Sequence, residues 1–149
     1  MSASSLVADT VWKSIEATRS AKNRLLYVLS MTYILSVVTE EQLSILHFLF
    51  GKNFERATRI VDQKGVKRIS GEPSKRSIFQ VVGESWRKEE YLCFADSYCA
   101  YYSFFYDIVN RGEQLCCKHQ LATRLAAALG LCVEIKVSDE QLTLLLVKL

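Results

Sequence analysis

Between Gly65 and Cys99 the apolar residues of this chain fall into runs with a period of two, whereas before and after that window they recur at helical spacing. A period of two fits a strand with one buried face, and a period near 3.6 fits a helix with one buried stripe. The order of these periods restricts the fold more than any single residue does. "VKRISG" alternates up to Gly71, "EPSK" supplies a turn around the only proline, and "RSIFQVVG" resumes the alternation. That pattern predicts a hairpin with a four-residue connection. "ESWRKEE" reads as a second, charged turn, and "YLCFADSYC" as a third strand reaching Cys99. The expected class is therefore α+β: N-terminal helices, a three-stranded antiparallel β meander, then further helices.

The flanking segments carry their own start and stop signals. In "LVADTVWKSIEATRS" Val7, Val11 and Ile15 share a helical face. Thr39 and Gln42 form a capping-box pair ahead of "LSILHFLFG", where Leu43, Leu46, His47 and Phe50 fall on one face and Gly51 closes the helix. His47 has no other ligand type nearby and reads as structural. A further helix runs from Asn53 to Gln63 with Phe54, Ala57, Ile60 and Val61 apolar, ended by Lys64-Gly65. Beyond the strands, Tyr102, Phe105, Tyr106 and Val109 recur helically, "RGEQ" is a loop, and a helix begins near Cys116. "LGLCVEIKV" contains a short strand, and Ser138 with Gln141 caps the last helix. Leu25 to Val38 is fourteen residues without a charge. That is short of the roughly 18–20 apolar residues a membrane span needs, and it contains Ser30, Thr32 and Ser36. A buried helix is expected there, and no membrane role.

A chain of 149 residues, half of them hydrophobic, is one domain's worth of globular protein. Its net charge of +3 permits a nucleic-acid partner without implying one. Lys64, Lys67, Arg68, Lys75 and Arg76 gather on the hairpin, with Arg87 and Lys88 on the next turn. They read first as a solvated tip and second as phosphate contacts. The N-terminal "MSASSLVADTVWKS" has neither the basic start nor the cleavage site of a secretory signal. The five cysteines (93, 99, 116, 117, 132) are odd in number, and two are adjacent. A reducing compartment is expected, with thiols free or metal-bound.

Cys117-Lys118-His119 sets a thiol and an imidazole at the mouth of a helix, half of what a tetrahedral zinc site needs. The other half belongs at the end of the strand, where the chain reads Cys99-Ala100-Tyr101. The same residues also suit a core filled by small thiols with a histidine at a turn, and the residues alone leave both readings standing. The chain has no G-x-x-x-x-G-K-[ST] or G-x-G-x-x-G loop, no G-x-S-x-G elbow and no His-Glu motif around the thiols. Asp107 and Glu113 lie in ordinary polar settings. No enzyme is expected.

Taken in order, "LHFLFG", "ISGEPSKRSIFQVVG", "YLCFADSYC", "LCCKHQLA" and "VSDEQLT" resemble a SWIM domain, whose pattern is C-x-C, a spacer, then C-x-H at a helix start. The chain resembles more closely the small SWIM proteins of the Shu complex. The resemblance runs from Gln42 to the C-terminus and leaves the hydrophobic stretch Ala21 to Val38 outside it. It implies a helical extension over 1–38 and a SWIM-containing α+β domain over 39–149. Within that domain a zinc-finger helix follows the strands and a C-terminal helix closes the chain, the finger spanning about residues 91–128. It also implies zinc, with Cys99, Cys117 and His119 in three of the four ligand roles. Tyr101 stands where the second cysteine belongs, and a phenol of pKa ~10 is a poor neutral-pH ligand. Cys93 is then the candidate fourth ligand, and Cys116, on the opposite side of its backbone, is a weaker one. The function implied is that of a nuclear, non-catalytic adaptor in homologous recombination and DNA repair. It would pair with a RecA-like recombinase paralogue and support recombinase filaments on single-stranded DNA. The alternative is a zinc module that binds nucleic acid directly.

Overall fold

The computed structural model describes residues 2–21, 37–95, 98–101 and 116–149. Helix α1 (Ala3–Ala21) buries Ala8, Val11, Trp12 and Ile15, spaced so that they form one stripe. Val7, expected on that stripe, is exposed, and Trp12 occupies the buried position instead. Helix α2 (Glu40–Phe50) starts at the expected capping box, with Gln42 N–H on Thr39 Oγ1 at 3.2 Å and Thr39 N–H on Gln42 Oε1 at 2.9 Å. Only Leu46 of its apolar face is fully buried; His47 is exposed and pairs with Glu55 at 3.3 Å. Gly51 ends α2 at φ 56° and leads into α3 (Lys52–Asp62), which buries the expected Phe54, Ala57, Ile60 and Val61.

The strands follow as β1 (Val66–Glu72), β2 (Ser77–Val82), β3 (Glu90–Phe94) and β4 (Tyr98–Cys99); helix α4 (Lys118–Leu129), strand β5 (Val133–Ser138) and helix α5 (Asp139–Leu146) complete the described chain. Among the described residues the sheet has five strands, in the order β4-β3-β2-β1-β5. The expected three-stranded meander is thus corrected in two ways. The third strand breaks after Phe94, and the chain reverses so that Tyr98 and Cys99 pair back on Phe94 and Cys93; Asp96 and Ser97, both turn formers, lie between. β5 then joins the sheet parallel to β1, from Lys67 opposite Val133 to Glu72 opposite Ser138. A parallel neighbour needs a crossover, and α4 supplies it.

Alternation across this register gives the sheet two distinct faces. One carries Val66, Phe79, Val81, Cys93 and Cys99 and packs under α4, in a core shared with α1, α2 and α3. The other carries Ile69 and Ile78 and is covered by α5 through Leu142. Nine of the twelve residues of α4 are buried, because this helix has the sheet on one side and α1 and α3 on the other. Arg124 on α4 reaches Asp9 on α1 at 2.9 Å, and Trp12 stacks with Phe50, ring centroids 6.3 Å apart. Among the described residues no helix is long and apolar enough to cross a membrane. The aromatic run Tyr102–Val109, the "RGEQ" loop, Asp107, Glu113 and most of the Leu25–Val38 stretch lie outside the described residues.

Candidate metal centre

β4 is short, and Cys99 is its last residue. Cys99 lies directly opposite Cys93, on the face that meets α4. Ala100 N–H donates to the Leu92 carbonyl at 3.0 Å, so those two residues form a hydrogen-bonded pair, and Cys93–Cys99 beside them is the closer, non-hydrogen-bonded kind. From the other side comes the start of α4. Cys117 is its N-cap, in extended conformation at φ −75° and ψ 165°. Gln120 N–H donates to Cys117 Sγ at 3.4 Å, and Cys117 N–H donates to Gln120 Oε1 at 3.2 Å. The sulfur thus does what a serine or aspartate oxygen usually does at this place. The expected helix start near Cys116 therefore falls two residues later, at Lys118.

His119, in the first turn, points into the same space. Its Nδ1 lies 3.8 Å from Cys99 Sγ. The Cys99, Cys117 and His119 donor atoms all lie within 4.8 Å of one another, and the three residues are 2 %, 3 % and 0 % exposed. Zinc bonds of roughly 2.3 Å to sulfur and 2.0 Å to nitrogen in a tetrahedron require donor separations of about 3.5–3.8 Å. The three donors therefore fit a zinc-sized ion with little movement. His119 Nδ1 is the ring nitrogen turned to the thiols, while Nε2 is buried and has no hydrogen-bond partner among the described residues.

The thiols are charge-poor as they stand. Cys99 is pushed up to about 12: its hydrogen bond with Cys117 pulls the value down, but the bond to Cys93, burial and the Cys93 charge outweigh it. Cys117 is pushed up by its hydrogen bond with Cys99 and by burial. Two neutral thiols packed together in the dry interior become thiolates when a cation is present to compensate them.

Around the donors the walls are aromatic. The Tyr101 ring meets His119 edge-on, with centroids 4.7 Å apart, and meets Tyr91 at 5.1 Å. Tyr91 also lies 4.8 Å from the imidazole. Tyr101, in the place of the missing cysteine, thus packs its ring on His119. Cys93 is fully buried beside Cys99 but falls outside the set of three mutually close donors. Cys116 is half-buried, and burial together with the adjacent Cys117 pushes its thiol up to about 12. Lys118, between the two donors at the start of α4, reaches Glu84 at 2.9 Å and sets its ammonium 5.5 Å from the centre of the Tyr101 ring. The structure brings together Cys99, Cys117 and His119, the residues singled out in the sequence, and adds Tyr91 and the capping role of Cys117, which sequence reasoning missed. Cysteine is an uncommon N-cap, though Gln120 three residues on was a readable sign of one.

A strand-end thiol, a capping thiol and an imidazole in the first turn of a helix, on this α+β frame, fill three of the four positions of a SWIM-type zinc finger. The chain is 40 % identical over 126 residues to zinc finger SWIM domain-containing protein 7 of Danio rerio, covering 83 % of this chain and 88 % of that protein. It is 36 % identical over 107 residues to the Homo sapiens protein of the same name (71 % of this chain, 74 % of that protein). A Dictyostelium discoideum homologue is 24 % identical over 107 residues (71 % and 67 %). The chain belongs to the zinc finger SWIM domain-containing protein 7 family. No family model and no solved structure matches it.

Proposed function

We propose that this chain is a zinc-stapled, non-catalytic adaptor of homologous recombination, which binds a RecA-like recombinase paralogue in the nucleus and through it supports recombinase filaments on single-stranded DNA. The observation that carries this reading is the depth of the Cys99–Cys117–His119 cluster. Its residues are at most 3 % exposed and join the last strand of the hairpin to the central helix. Such a position suits a structural metal, whose binding energy is folding energy, better than a catalytic metal, which keeps an open coordination position. Zinc is the ion proposed because the donors are thiol and imidazole and because the relatives are named zinc finger proteins. When bound, it supplies charge compensation and a rigid tether. Cys99 fixes the sheet end, Cys117 keeps the first turn of α4 capped, and His119 closes the site from within that turn. With no nucleotide-phosphate loop in the chain, the ATP-dependent step belongs to the partner.

Direct DNA binding is less well supported. Two cations of the basic hairpin are already neutralised, Lys67 by Glu90 at 2.8 Å and Lys75 by Glu72. The test is purification of the tagged chain from cells of its own source. A RecA-like ATPase should co-purify, and the isolated chain should hydrolyse no ATP and bind single-stranded DNA weakly. Absence of such a partner, together with tight, salt-sensitive DNA binding by the chain alone, would replace this reading with the direct-binding one.

A further inference from the structure

β5 is the last strand of the sheet, and among the described residues no strand lies along its outer edge. An open edge presents a row of N–H and C=O groups that can template another strand. Proline, a bulge or a charged side chain, lysine above all, commonly prevents this; β5 has no proline or bulge, its register with β1 is unbroken from Val133 to Ser138, and its one lysine is balanced by a glutamate on the same face. Its two charges have opposite sign and lie two residues apart, on one face: Glu134 and Lys136, both exposed. Neither is in an ion pair among the described residues. The other face carries Val133, 39 % exposed, with Ile135 and Val137 partly buried.

We propose that two copies of this chain pair antiparallel through β5, about a two-fold axis at Ile135, to form one continuous sheet. The charge pattern selects both the occupant and the register. Centred on Ile135, each Glu134 stands directly opposite a Lys136 of the second copy, and each Val133 opposite a Val137. Centring on Glu134 sets carboxylate against carboxylate, and centring on Lys136 sets ammonium against ammonium. Centres between residues put each charge opposite an apolar side chain. Directly opposite unlike charges stabilise an antiparallel pair and like charges destabilise it, so a single register is favoured. The same alternation already runs inside the chain, where Arg68 of β1 lies opposite Glu134. A second copy therefore extends that row as Arg68, Glu134, Lys136, Ser70. A two-fold contact of this kind uses the same patch on both copies and closes on itself.

Charge reversal tests this on the full chain by sedimentation equilibrium. The wild type should show a monomer–dimer equilibrium. Lys136→Glu, which leaves the Arg68–Glu134 neighbours untouched, should weaken association about tenfold or more, since the axis doubles each like-charge contact. Glu134→Lys should do the same. The double variant Glu134→Lys/Lys136→Glu should associate like the wild type, and an equimolar mixture of the two single variants should form heterodimers. Circular dichroism of each variant checks that the monomer is folded. A wild type that remains monomeric at its highest soluble concentration would overturn the proposal. So would a dimer insensitive to both reversals, or a strand of another protein found seated on β5.

Discussion

Cys117 has two roles at one atom, since its sulfur accepts the Gln120 N–H and faces Cys99 and His119. Substitution separates them. Cys117→Ser keeps an oxygen that caps the helix but removes the thiolate, so bound zinc measured by atomic absorption should fall while the metal-free melting temperature holds. Cys117→Ala should lose both, with a further drop of about 1 kcal/mol in the metal-free protein, the usual cost of a lost cap. Cys132 offers a pH test away from the cluster. Burial, then the neighbouring Glu134, push its thiol from 9.0 up to about 11. A folded value above the unfolded one favours the protonated folded state. The contribution is therefore complete below pH 9 and is lost as pH climbs toward 11. The melting temperature of the wild type should decline over that window, and that of Cys132→Ala should decline less. Of the site, residue type and spacing offered Cys117 and His119 at a helix start and Cys99 at a strand end, and the SWIM resemblance gave the three their ligand roles. The aromatic wall was not readable, because Tyr91 and His119 become neighbours only once β3 and α4 pack.

Among the elements, those whose signals are local were legible. Thr39 with Gln42 and Ser138 with Gln141 announce helices α2 and α5, and both boxes form as read. The β3–β4 reversal was hidden because "YLCFADSYC" is apolar at both ends and carries a turn of only a few residues between them. How closely α5 sits on β1 was also hidden. A Cβ on Gly71 would come within 2.5 Å of Asp139 Oδ1 and 2.8 Å of Leu142 Cδ2. Asp139 in turn accepts from the Ser74 hydroxyl at 2.5 Å and from its N–H at 3.1 Å, tying α5 to the β1–β2 turn. Gly71→Ala should therefore displace α5 and cost about 1–3 kcal/mol in chemical denaturation, the usual range for overpacking. Amide exchange should quicken in α5 and leave α4 unchanged.

At the scale of the whole molecule, the order of helical and strand periods identified the α+β class, because periodicity reports which face of an element is buried. It does not report which element lies alongside, and so the parallel pairing of β1 with β5 and the enclosure of α4 were beyond it. The place of α1 follows from that enclosure: Trp12, 3 % exposed, belongs to the same core as Leu121, Leu125 and Leu129. Trp12→Ala should cost about 3–5 kcal/mol by denaturant unfolding, a core-sized loss. A change near zero would mean that α1 is dispensable to the core.

The partners Lys67 and Val133 stand side by side in the sheet although nearly half the chain separates them. During synthesis on the ribosome, β1 to β4 and the three cluster donors emerge before β5 does. For that interval β1, destined for the interior of the sheet, is itself an edge, with its ladder groups unpaired beside Val66 and Ile69. The nascent chain is then open to pairing with other chains along β1, and the last of the described strands to be made is the one that ends the exposure.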